Sequence, residues 1–477
     1  MPIPETLPGG DATALAAAIA AGRLTCRDAM EAALAAALAD PHGALCRIDA
    51  ARGLAAADAL DQERLEAPKA FAARPFAGVP TVAKDLGGPF AGFPVRAGSA
   101  LFAGETNETA DSELAQRFRS AGLAVFGMTT SPEFGLSLSS EPAIGPLARN
   151  PLDPALTPGG SSGGAAAAVA AGIVSIAHAT DAGGSIRIPA ACCGLIGLKP
   201  TRGAIPAGPG FGNHLGGIAG ELAVCRSVRD TATIFAHLRG NGRGPFADPL
   251  PAPPSPAKLR IGLLLDTGHR YPTTPERLAA VEAAGRALEA DGHVLVPVGW
   301  GEVEAMVDTS SRAFGDIVSV NLAELIARLG IDPSPAEPLT KAFVARGRSL
   351  AATALWDSLN GAVMVASHLW QLFDRFDALL TPMLASAPLA VGSFPADHGD
   401  TDLQLERMAA FAPLAPLANI SGFPAMTLPF GTDADGLPLP VQIMAPMGAE
   451  ALLLRLAARL EAEGRWRHRF AVAGLAT

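Results

Sequence analysis

Apolar residues along the chain fall into two regimes. Between residues 11 and 62, alanine-rich amphipathic segments with few breakers predict helix, and Thr25 ahead of Cys26, Arg27 and Asp28 reads as an N-cap with an acidic third position. From residue 75 onward short apolar runs punctuated by Gly and Pro take over, as in "FAGVPTVAKD", "AVFGMTT" and "GIVSIAHATD". Two helical patterns feed such runs directly: "SELAQRFRSAG" leads into "LAVFG", and "SGGAAAAVAAG" into "IVSIAHATD". A further strand–helix–strand unit is predicted by "LRIGLLLDT", "TPERLAAVEAAGRALEADGH" and "VLVPV". Residues 303–375 read as mostly helical, "FDALLTP" as a strand, and "GLPLPVQIMAP" precedes a last helix, "AEALLLRLAARLEAEG". Helices alternating with buried strands argue for an α/β layered fold. No internal repeat is visible, and the stretch 241–258, with six prolines, reads as a long surface connection.

Composition narrows the class. The chain has 477 residues, 49% hydrophobic and 17% charged, with 52 Gly and 41 Pro, which describes a soluble globular protein with a large core and many turns. A net charge of −10 gives no pull towards nucleic acid or an anionic membrane. Gly, Pro or charge interrupts every apolar run before the roughly 18–20 residues a bilayer span requires. The first residues carry no basic cluster, which argues against a secretory signal, and five cysteines with one vicinal pair suit a reducing cytoplasm better than a disulfide framework. Neither CxxC nor HExxH occurs, so no metal site or cofactor is expected. Only five of the 36 basic residues are lysines, Lys69, Lys84, Lys199, Lys258 and Lys341. Where Arg serves as the ordinary surface cation, a retained Lys is a candidate for what guanidinium cannot do, which is to lose a proton near neutral pH.

Three segments carry chemistry. In "GVPTVAKDLGG", Lys84 sits in an apolar run; on its own it reads first as a snorkelling side chain at a strand end paired to Asp85, and as the alternative a buried amine with a depressed pKa, the form a general base requires. In "TPGGSSGG" the Gly/Ser cluster opens directly onto an alanine helix. It lacks the lysine of a phosphate loop, and its formal GxSxG match would make Ser162 a hydrolase elbow nucleophile with a late histidine (His368, His398 or His468) as base. In "ATDAGGSIRIPAACCGLIGLKPTRG" a strand ends at Thr180, Asp181 opens the turn, and the Gly183–Gly184 pair lets several N–H groups converge beside Ser185. A tight turn capped by Ser185 is the plain alternative. Together the three supply a base, polar relays and a nucleophile beside an oxyanion hole, an acyl-transfer set without histidine.

These motifs resemble the amidase signature family of serine hydrolases. The resemblance runs from about Phe76 to the C-terminus and includes "LANISGFPAMTLPFGTDADGLPLPVQIM". It implies an α/β/α sandwich around a central mixed, twisted sheet, and a Ser–cisSer–Lys triad of Ser185 as nucleophile, Ser161 as relay on a cis Gly160–Ser161 peptide, and Lys84 as base. It further implies an oxyanion hole of the Ala182, Gly183, Gly184 and Ser185 N–H groups, braced by Ser162, Thr180, Asp181 and Arg187. Where the family carries "GP(M/L)xR", this chain reads "GELAVCRSVRD", closer to the branch with cyclic-dimer (nylon-oligomer) amide hydrolases than to the transamidating subunits.

The expected organisation is an N-terminal helical segment over 1–65 packed on a single domain over 66–477, with the catalytic core at about 75–235, the Pro-rich loop at 241–258 and a C-terminal part at 259–477. The expected activity is hydrolysis of an amide in a small apolar or aryl/alkyl substrate, with carbamates and esters as extensions. A glutamine-dependent amidotransferase subunit and a non-catalytic binding protein are the alternatives. Phe134, Gly135, Leu136, Phe211, Trp356, Trp370 and Phe411 are the candidate pocket residues. No nucleic-acid or membrane partner is expected, and the protein is expected to be a cytoplasmic monomer or homodimer.

Overall fold

The computed structural model describes residues 9–102, 104, 107–206, 214–239 and 258–475. Most of the Pro-rich stretch and Phe211 therefore lie outside the described residues. Eleven strands form among those described: β1 Leu45–Ile48, β2 Pro80–Lys84, β3 Ala124–Thr129, β4 Ile176–Asp181, β5 Ile196–Lys199, β6 Gly220–Cys225, β7 Arg260–Leu264, β8 Val294–Val298, β9 Ala378–Pro382, β10 Ala425–Thr432 and β11 Pro438–Met444. Eight of them make one mixed sheet in the order β4-β6-β5-β10-β11-β9-β7-β8, in which only the β7 pairings with β8 and β9 are parallel. The helix Val228–Arg239 packs on β6, Pro275–Ala290 on β9 to β11, and Glu450–Glu461 on β10. This is the layered α/β architecture the apolar pattern predicts.

Two features differ from that prediction. The alanine-rich stretch over 11–62 is not all helix: β1 interrupts it and pairs antiparallel with β3. The sheet is also not continuous in main-chain pairing, because β1, β3 and β2 form a separate three-stranded sheet. The two sheets meet where β2 lies beside β4, and there side chains replace the ladder. Thr81 Oγ1 donates to the Ile176 carbonyl at 2.8 Å, and the Lys84 N–H donates to His178 Nδ1 at 3.2 Å. This seam brings the C-terminal ends of β2 and β4, and with them Lys84 and Thr180, to one place.

The N-terminal helices are tied in by their caps. Thr25 and Asp28 form a reciprocal capping box on Cys26–Leu38, with bonds of 2.9 and 2.8 Å. Asp11 caps Ala12–Ala20 and pairs with Arg229 at 2.6 Å. Among the described residues no helix is long and apolar enough to cross a membrane.

Candidate active site

Local sequence explains why the three segments converge. The "TPGGSSGG" stretch enters the helix Gly163–Ala170, every residue of which is buried. Alanine loses no side-chain freedom on burial and is small enough for the helix to seat against β2, β4 and the helix Arg187–Cys193. Gly160 passes so close to the neighbouring loop that a Cβ there would lie 2.7 Å from the Ser137 carbonyl oxygen and the Ser139 nitrogen. The Gly160–Ser161 peptide is cis. Ser162 ties the loop to the end of β4: its Oγ lies within 3.3 Å of both the nitrogen and the carbonyl oxygen of Thr180, and its N–H donates to the Ser185 carbonyl at 3.3 Å.

Lys84 closes the arrangement from β2. Its Nζ lies 2.8 Å from Ser161 Oγ and 2.8 Å from Thr180 Oγ1, and the side chain is buried. Burial pushes the amine down to about 7, against the opposing pull of Asp181, Glu221 and Asp85. Beneath it His178 accepts the Lys84 N–H on Nδ1, so Nε2 carries the proton facing Glu221 Oε1 at 3.3 Å. Glu221 Oε1 also accepts the Gly88 N–H at 2.8 Å. Sequence reasoning missed this His178–Glu221 layer, since a lone His in "SIAHATD" reads as core.

β4 ends at Asp181, and the chain turns through Gly184, at φ +117°, before Ser185. The turn is clamped from within. Arg187 makes a two-point pair with Asp181, at 2.9 Å through Nε and 3.1 Å through Nη2, and reaches Asn419 Oδ1 at 2.7 Å and Gln442 Oε1 at 2.8 Å. Asn419 Nδ2 in turn donates to the carbonyl and Oδ1 of Asp181 at 2.9 Å each. Burial alone would raise the Asp181 carboxyl, but Arg187 and Asn419 outweigh it and hold it at about 2. Gly184 departs from expectation: its N–H donates to Asp181 Oδ1 at 2.7 Å, so it is occupied in holding the turn. The N–H groups of Ala182, Gly183 and Ser185 have no acceptor among the described residues.

Arg187→Met would leave Asp181 buried without its cation, and we expect a loss of about 3–5 kcal/mol, read as a fall in Tm. A depressed carboxyl contributes stability above its unfolded value, lost as pH falls through its folded one. The difference between wild type and variant should therefore shrink as pH drops from about 4 towards 2.

With this geometry in view, known proteins fall into line. The Amidase family profile matches residues 28–454, most of the chain. This chain belongs to the amidase family. The match begins well upstream of Phe76 and takes in most of the N-terminal helices. The 6-aminohexanoate-cyclic-dimer hydrolase of Paenarthrobacter ureafaciens is 35% identical over 436 residues, 85% of this chain and 86% of that protein. A Pseudomonas (strain NK87) enzyme of the same name is 34% identical over 435 residues, covering 85% and 86%. A solved 6-aminohexanoate cyclic dimer hydrolase structure superimposes with a TM-score of 0.85 at 30% identity, covering 97% of this chain and 98% of that one.

In this amidase Ser161, Thr180 and Ser185 line one cavity of about 280 Å³. Its walls are otherwise apolar, apart from Asn321, and no charged side chain of the described residues lines it. Phe134, Gly135 and Leu136 are in the wall. Trp356 and Trp370 are not: they stand 65% and 44% exposed on the helix Ala352–Phe373. Phe411 is buried but packs on Phe394, with ring centroids 6.0 Å apart, and does not reach the cavity. The wall comes instead from Phe314, Val318, Leu322 and Leu325 on the long helix Glu304–Leu329. Phe314 fits against the turn after Asp181 so closely that a Cβ on Gly183 would lie 2.7 Å from its ring. Ser162 is absent from the lining, as is every histidine with a described side chain, so the elbow arrangement finds no partner here. His468, for one, bonds the Arg226 carbonyl at 2.8 Å.

A second lysine, Lys199, is also buried and lowered to about 7, by burial and by Arg187. Its Nζ donates to the Pro200 carbonyl at 2.6 Å, and it does not line the cavity. Geometry, not the shifted amine alone, separates the two.

Proposed function

We propose that this amidase hydrolyses the C–N bond of a small, neutral amide with an apolar body, through an acyl-enzyme on Ser185. The observation that carries the reading is the 2.8 Å approach of a buried amine, Lys84, to a serine that shares a cavity with Ser185. Neutral Lys84 takes the Ser161 proton, Ser161 takes that of Ser185, and Ser185 Oγ attacks the carbonyl carbon. The oxyanion is met by the unoccupied N–H groups of Ala182, Gly183 and Ser185. Reversal of the relay protonates the departing amine, and water activated in the same way releases the acid and frees the serine. Nothing in this set is specific to nitrogen as leaving atom, so carbamates and esters of similar shape extend the range.

The lining argues against a glutamine-fed transamidase. A free amino acid would bring both its charges into a wall with no ionic partner among the described residues, a costly desolvation. Similarity to cyclic-dimer hydrolases supports a compact, uncharged amide, and a cavity of about 280 Å³ sits at the small end of ligand sites.

The test is a panel of anilides, linear amides, lactam oligomers, carbamates, p-nitrophenyl esters and glutamine, assayed with the purified chain alone. Turnover of neutral amides with no glutaminase activity is expected; glutamine as the best substrate would overturn the reading. Leu322→Trp narrows the cavity and should lower kcat/KM for an anilide by ~10–100-fold relative to a p-nitrophenyl acetate control.

A further inference from the structure

A second cavity, of about 380 Å³, adjoins Asp85 and shares no lining residue with the catalytic one. The two are separated by a single strip of chain whose residues alternate between them. Pro94, Arg96 and Gly98 face the second cavity, while Val95 and Ala97 face the first.

Thr130 Oγ1 in this second cavity is satisfied by the Gly43 carbonyl at 2.7 Å, but three other polar side chains are unmatched. Arg96 Nε is buried with no hydrogen-bond partner among the described residues, and so is Ser131 Oγ, on a side chain that is itself almost wholly enclosed. Arg47, from the edge strand β1, lines the cavity and makes no ion pair with any described residue. The one carboxylate present is committed elsewhere: Asp85 accepts the Arg96 N–H at 2.7 Å and the Gly98 N–H at 3.1 Å. Two arginines and one aspartate line the cavity, a net positive charge. Buried donors without acceptors are costly, and a guanidinium fork matches a carboxylate in shape as well as charge. Pro94, Met128, Pro142 and Ile144 add an apolar side to the wall, beside Thr130 and Cys46.

We propose that this cavity is a binding site for a small monocarboxylate with a short apolar tail, its carboxylate held by Arg96, Arg47 and Ser131 and its tail laid on the proline-rich wall. The site is independent of the catalytic reading, since its ligand need not be turned over. The acid released from an apolar amide belongs to the same chemical class, so a product of this enzyme or an unrelated acid could fill it.

The test is calorimetric titration of the full chain with hexanoate, and separately with inorganic phosphate. One equivalent of hexanoate is expected to bind, with affinity reduced at least tenfold in Arg96→Gln and several-fold in Ser131→Ala. Leu322→Trp, which narrows the catalytic cavity, should leave hexanoate binding intact. If wild type binds no hexanoate, or Arg96→Gln binds it as wild type does, the proposal fails. Phosphate binding more tightly than hexanoate would overturn the ligand class. Should Arg96→Gln not fold, Arg47→Gln on the edge strand must produce the weakening instead, and an unchanged affinity there counts equally against the site.

Discussion

Ser185→Ala is expected to lower kcat on any amide the wild type turns over by at least ~10⁴-fold while leaving the fold unchanged. The two halves of that expectation rest on different observations. Ser185 Oγ makes no hydrogen bond to a described residue, so its removal orphans no partner, and thermal unfolding should be superimposable on wild type. Its position, in a cavity whose other hydroxyls lie against a deprotonatable amine, is the ground on which it is proposed as the nucleophile. The companion variants give the result its meaning. Ser161→Ala removes the proposed relay and should cost ~10²–10⁴-fold, the range for a lost proton-transfer step. Ser162→Ala removes only a brace between the loop and the Thr180 main chain and should cost far less. If Ser162→Ala were inactive and Ser185→Ala active, the GxSxG elbow would be the correct reading after all. A sulfonyl fluoride gives an independent check: its adduct should appear, by mass spectrometry, on the peptide carrying Ser185.

The parts of this site visible in the sequence were those where chemistry forces unusual residues into short stretches. Lys84 is conspicuous in an Arg-rich chain, and "TPGGSSGG" and "TDAGGSIR" are Gly/Ser clusters that ordinary packing does not call for. The three lie at the ends of β2 and β4 and at the start of one buried helix, elements whose apolar runs were also readable. What sequence did not reveal has a common physical cause, which is that it depends on neighbours distant in the chain. Phe314, Val318, Leu322 and Leu325 follow the same helical spacing as any core face; only the meeting of their helix with the turn before Ser185 makes them a cavity wall. Trp356 and Trp370 drew attention as large aromatics, but their helix turns them outward. Asn419 and Gln442 left a fainter signal, single amides inside the apolar runs "LANIS" and "PVQIM", where a polar group must find a buried partner. That partner is Arg187, more than 200 residues earlier. β1, β5, β6 and β10 lack the mark that β3 and β4 carry, a readable helical pattern running directly into the strand.

Lys84→Met carries the second large effect, and here activity and stability should move in opposite directions. An amine lowered to about 7 is neutral, and able to accept the Ser161 proton, above that pH; below it, wild-type kcat/KM should fall about tenfold per pH unit. Loss of the base should cost ~10²–10⁴-fold at pH 8 and abolish that acid limb. Stability follows from linkage. The unfolded amine titrates near 10.5 and the folded one near 7, so between those values the unfolded chain binds more protons and this group's contribution to stability rises with pH. At neutral pH the wild type therefore bears the cost of keeping an amine neutral in an apolar setting, which Met does not. Lys84→Met should melt at a higher temperature than wild type at pH 7, and the gap should close as pH approaches 10. Lys199 provides the discriminating control, since burial lowers it to the same value away from the cavity. In Lys199→Met the acid limb should persist. If the limb vanishes there and survives in Lys84→Met, the proton relay runs through the wrong lysine and the assignment built on the 2.8 Å contact with Ser161 falls.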